Sequence, residues 1–116
     1  MLTGTSLGLR RVPGLDDSQK KGILFQLRNA VNTWCDNNTG DWFAVRDLFG
    51  GDNYDWRGSP MQRLYDKHSD NGFDHDTSET KAGIDAGWLM KEFLFYDERM
   101  FEQGYKGRVR GYRLMR

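Results

Sequence analysis

Between positions 17 and 35 the apolar residues Ile23, Leu24, Leu27, Ala30, Val31 and Trp34 recur at i, i+1, i+4, i+7, i+8 and i+11, the spacing of one helix face. Asp16, Asp17 and Ser18 stand before the stripe as candidate N-caps, and the polar run 36–40 supplies the residues that end it. A stripe this wide must be covered, so the rest of the chain has to supply apolar elements that pack on it. With 116 residues there is room for one core and no second. The hydrophobic share is only 37%, but 4 Trp, 5 Tyr and 7 Phe can each bury a large area. Disorder as the main state is excluded by the same aromatics, because disordered chains combine few of them with high net charge.

After the first helix, residues 41–49 are aromatic and β-compatible, and both a short strand over 43–45 and a helical turn over 45–49 fit them. A Gly- and Asp-rich loop carrying Tyr54, Trp56 and Arg57 follows. Ser59-Pro60 then signals a helix start, since Ser caps an orphan N–H and Pro lacks one. Met61, Leu64, Tyr65 and His68 continue at i, i+3, i+4 and i+7, which predicts a second helix over 60–68. Thr77 or Ser78 can cap a third, with Ala82, Ala86, Leu89 and Phe93 on one stripe and Ile84, Trp88 and Leu94 beside it. Gly83 and Gly87 weaken its first turns and suit close helix packing. Segments 99–103 and 108–115 flank Gly104-Tyr105-Lys106-Gly107 and read as a β-hairpin.

The order of helix, short strand, helix, helix and terminal hairpin resembles the winged helix-turn-helix architecture. The residues that carry the resemblance are DWFAVRDLFG, SPMQRLYDKH, GIDAGWLMKEFL and RMFEQGYKGRVRGYRL. The loops on either side of the second helix are longer than that motif's tight turn. The resemblance implies an α+β domain over residues 17–116, of three helices with a short strand after the first and a C-terminal hairpin wing; the N-terminal residues, acid-free over the first 14, read by composition as a flexible leader over 1–16. The resemblance also implies duplex DNA as partner.

Charge supports a partner surface only locally, because 17 basic and 17 acidic side chains cancel. Residues 99–116 carry a net +5, whereas residues 76–98 carry −4. On the DNA reading the wing cations Lys106, Arg108, Arg110 and Arg113 meet phosphate or a minor groove, and Ser78, Thr80 and Lys81 approach the major groove. The acidic third helix, with Asp76, Glu79 and Asp85, opposes that reading. The alternative is a protein-interaction module that uses this acidic helix or the loop of Tyr54, Trp56 and Arg57, aromatic and Arg side chains being enriched at binding hot spots. Its partner is another protein or a second copy of the chain. Trp56 folding over the core as a lid is the structural reading of the same loop, and Trp34, Trp42 and Trp88 read as core residues.

No catalytic chemistry is expected. His68 and His75 lie seven apart among Asp66, Asp70, Asp74 and Asp76, a spacing that matches no metal motif. A calcium loop centred on Gly72 or Gly58 fails at Lys67, Ser69 and Arg57. Cys35 has no histidine near it in sequence and reads as a small core residue. Neither GxGxxG nor GK[ST] occurs, so no nucleotide cofactor is expected. One cysteine, no secretory signal and no membrane-length apolar run point to a cytoplasmic protein with no membrane partner.

Overall fold

A computed structural model describes residues 1–3, 8–38, 40–49 and 56–115. Over these the chain is an α+β domain of four helices and a three-stranded sheet: β1 (Leu2–Thr3), α1 (Asp17–Asn37), α2 (Val45–Leu48), α3 (Gln62–Asp70), α4 (His75–Tyr96), β2 (Phe101–Lys106) and β3 (Val109–Leu114). None of these helices is long and apolar enough to cross a membrane.

Helix α1 starts at a capping box. The Asp16 carboxylate accepts from the Gln19 backbone N–H at 2.7 Å while the Gln19 side chain accepts from the Asp16 N–H at 3.0 Å. Ile23, Leu27, Val31 and Cys35 are its buried row, with Leu24, Ala30 and Trp34 packed beside them. The stripe is covered by Met61 and Leu64 from the α3 side, by Ala82, Ala86, Leu89, Met90 and Leu94 of α4, and by Phe101 and Tyr112 of the sheet.

Both readings of the segment after α1 are realised in part. Phe43 forms an isolated antiparallel bridge to Tyr112, with N–H to O distances of 2.8 Å in both directions, and α2 begins two residues later. The Phe43 ring lies 6.2 Å from both Phe101 and Tyr112 and 6.0 Å from Trp34. These four rings tie α1 to the hairpin.

Two helix starts differ from the sequence expectation. Ser59 does not cap α3: the N-cap position is Met61, and the Ser59 hydroxyl donates back to the Trp56 carbonyl at 2.8 Å. The Met61 N–H is instead taken by the Gln26 side chain of α1 at 3.2 Å, and the helix begins after it. The start of α4 lies at Asp74, whose carboxylate accepts from the Thr77 N–H at 2.8 Å, so neither Thr77 nor Ser78 is the cap. That backbone bond holds the Asp74 carboxyl below its usual pKa.

The hairpin is tighter than the glycine spacing suggests. Strand β2 runs on through Gly104 and Tyr105 to Lys106, and the turn is Gly107-Arg108 with Gly107 at φ 64°. A left-handed first turn residue is what a type II′ turn requires. Gly104 pairs with Gly111 within the ladder, and a Cβ on Gly104 would come within 3.1 Å of the Trp42 ring. Trp42 therefore packs on the outer face of the sheet, not in the core.

The described part of residues 1–16, expected as a leader outside the domain, docks on it. Strand β1 adds to β2 in parallel, Leu2, Val12 and Leu15 pack against the core, and Pro13 offers its carbonyl to Lys67 Nζ at 2.7 Å. Those apolar side chains bury area that an undocked leader would leave in water.

Candidate functional site: an apolar groove beside a basic hairpin

The four hairpin cations expected to meet DNA divide into two kinds. Lys106 Nζ lies 3.0 Å from Asp47 and 3.2 Å from the Trp42 carbonyl, joining β2 to α2. Arg113 forms an ion pair with Glu102 at 2.5 Å, its cross-strand partner, and lies 4.8 Å from the Trp42 ring centroid. These two are committed within the fold. Arg110 stacks at 4.9 Å on Tyr105, which is 66% exposed, and Arg108 occupies the exposed turn.

On α4 the expected contacts divide likewise. Ser78 is fully buried and its hydroxyl donates to the Phe73 carbonyl at 3.3 Å, so it is removed from any partner. Thr80 is exposed, with its hydroxyl on the Asp76 carbonyl at 3.0 Å, and Lys81 covers the Phe73 ring at 4.8 Å. Asp85 faces inward, within 2.8 Å of Lys67 Nζ and 2.7 Å of His68 Nε2, and so adds little to the acidity of the outer face. His75 belongs to a separate network. Tyr65 Oη is 2.9 Å from its Nδ1, and Glu79 is 2.7 Å from its Nε2. Since a carboxylate only accepts, Nε2 is the donor to Glu79, and the ring bridges the carboxylate and the tyrosine hydroxyl. The two histidines thus hold different partners, and the acids around them gather at no common point.

What the sequence did not disclose is a groove of about 1340 Å³ between α4, α2, the start of α3 and the hairpin. Its α4 wall carries Gly83, Ile84, Gly87 and Trp88; the opposite side carries Val45, Phe49 and Trp56, and the hairpin closes it with Val109, Arg110 and Tyr112. Ile84, expected beside the core stripe, is 55% exposed here. Gly83 and Gly87, expected at a close helix contact, have open space where a Cβ would stand. Their missing side chains widen the groove. Trp88, expected in the core, lines the groove between Lys91 and Arg10, whose cations lie 5.4 and 5.9 Å from its ring.

The described residues give the groove a cationic edge. Arg46, Arg57, Lys91 and Arg110 line it, against Glu79 as the carboxylate on the α4 wall. Lys91 is only 5% exposed, and burial together with the nearby Arg110 pulls its ammonium pKa below the ordinary value. Trp56 is half-buried, packs against the core and lines the groove with Arg57. Tyr54, the third member of that expected set, lies outside the described residues, as does Arg116. The structure therefore gathers Trp56, Arg57 and Arg110 at one groove while separating Lys81 and Ser78 from it. No signal short of the fold would have found the groove, because its walls come from segments far apart in the chain.

No protein-family model, curated protein or solved structure matches the chain.

Proposed function

We propose that the chain is a non-catalytic binding module on a winged-helix-like scaffold, and that its groove seats an acidic amphipathic segment of a partner protein. The observation that carries this reading is the joint lining of one groove by Trp56, Trp88, Ile84 and Tyr112 with Arg46, Arg57 and Arg110. Apolar side chains give such a site its affinity, and aromatic and Arg residues dominate binding hot spots. A cationic edge selects an acidic occupant and speeds encounter. The winged-helix assignment is supported by the Phe43–Tyr112 bridge, which brings the segment after α1 beside the terminal hairpin.

Duplex DNA is the second reading, favoured by Arg108 in the exposed hairpin turn and by Arg110 on Tyr105. Lys106 and Arg113 engage carboxylates of the fold, and Asp76 and Glu79 are exposed on α4, so this surface attracts phosphate weakly.

The experiment is an amide NMR titration with a designed amphipathic helix, Leu at i, i+3, i+4 and i+7 and Glu elsewhere. The groove reading expects shifts at Ile84, Gly87, Trp88 and Arg110 that a Lys-for-Glu version of the peptide does not produce. Equal binding of both peptides, or shifts confined to the hairpin turn with duplex DNA as the better ligand, contradicts it.

A further inference from the structure

We propose that the open end of the sheet is a site for one soft monovalent cation, Cu(I), held by the thioethers of Met1, Met100 and Met115. The three residues are far apart in sequence and are assembled only by the sheet register. Leu2 pairs with Phe101 and Phe101 with Leu114, so Met1, Met100 and Met115, one position outward on each strand, stand opposite one another. The Phe101 N–H donates to the Met1 carbonyl at 2.7 Å and the Met115 N–H to the Met100 carbonyl at 2.9 Å, so the pairing extends to this row.

Side chains alternate between the two faces of a sheet. Phe101 is fully buried and Leu2 and Leu114 pack against the core, which turns the methionines one step along to the outer face. They are 51%, 36% and 45% exposed, whereas Met61 and Met90 are buried in the core. Neighbouring strands place the row across about 10 Å. Methionine is unbranched and has three rotatable bonds, so the outer two sulfurs can lean over the central one.

Three neutral thioethers form a soft donor set, which selects Cu(I) over hard divalent ions. The surrounding charges allow it. Arg113, in the next row on the same face, is ion-paired with Glu102, and the Arg99 guanidinium beside Met100 is held by Asp97 at 2.9 Å. The Met1 ammonium is turned to the Asp97 and Arg99 carbonyls, beside the Asp97 carboxylate, so among the described residues each nearby cation has a carboxylate close to it.

The test is an anaerobic titration of the protein with Cu(I) against a chromogenic Cu(I) chelator, followed by methyl NMR of 13C-methionine-labelled protein. The expected result is one bound ion per chain, with the ε-methyl signals of Met1, Met100 and Met115 shifting while those of Met61 and Met90 stay. Met100→Leu and Met115→Leu, both at exposed positions, each lose the ion, and Cys35→Ser keeps it. Absence of binding in competition with the chelator overturns the proposal. So does retention of the ion by both methionine variants, its loss in Cys35→Ser, or shifts at Met61 and Met90 in place of the exposed row.

Discussion

Lys106 Nζ and Asp47 Oδ2 stand 3.0 Å apart, and the same carboxylate oxygen accepts the Ala44 N–H at 2.8 Å. One aspartate thus closes the first turn of α2 and pins it to the hairpin. The pair is partly exposed, with 42% and 24% of the side chains accessible, so Lys106→Ala costs only about 0.5 kcal/mol of stability. Asp47→Ala also leaves the Ala44 N–H without its acceptor, and costs about 1–2 kcal/mol. Urea midpoints of the two variants check the order, which reverses if Lys106 is instead held mainly by the Trp42 carbonyl.

The Lys67–Asp85–His68 cluster joins α3, α4 and the N-terminal segment. Lys67 is 5% exposed and Asp85 15%, so removing the carboxylate strands a buried ammonium. Asp85→Ala is expected to destabilise the fold by about 3 kcal/mol or more. His68→Ala costs less, because Lys67 keeps both Asp85 and the Pro13 carbonyl. Chemical denaturation of both variants measures the difference.

Tyr112 gives the fold an alkaline limit. Burial pushes its phenol up to about 12 from the ordinary 10. In the unfolded chain the phenol ionises near pH 10 while the folded one keeps its proton, so the unfolded state binds fewer protons and stability falls with rising pH. The contribution is complete below pH 10 and is lost as pH rises toward 12. Urea midpoints measured from pH 9 to 12 are expected to decline, and Tyr112→Phe is expected to flatten the decline.

Asp97 sets the corresponding acid limit. The Arg99 guanidinium, bonded to it at 2.9 and 3.1 Å, holds its carboxyl below 3.8. Here the unfolded state binds the proton first as pH falls. The stabilisation is therefore present above pH 3.8 and lost as the solution is acidified through the folded pKa. Asp97→Asn is expected to remove that part of the acid dependence, read as a smaller drop in midpoint between pH 5 and 2.

The α1 stripe was legible because Ile23, Leu27, Val31 and Cys35 repeat at the helical period and all four are buried. The hairpin was legible as an element but not in its turn. Gly104 reads as a loop residue by composition, yet it is a strand residue because Trp42 needs the space above it. The start of α4 was misplaced because Thr77 and Ser78 are also good caps, and the choice fell to Asp74, next to the preceding turn at Gly72. The hairpin's positive charge was legible from sequence. Its pairing was not, since Asp47 and Trp42 reach Lys106 only through the sheet.

Arg110 provides the most direct measurement, because it belongs both to the groove and to the basic hairpin. Calorimetric titration of the Leu/Glu amphipathic peptide into wild type and Arg110→Glu compares the two. An acidic occupant in the groove predicts affinity at least about tenfold weaker for the variant, regained with the Lys-for-Glu peptide. Unchanged affinity for the acidic peptide, or no binding by wild type at low salt, contradicts the groove as this protein's binding site.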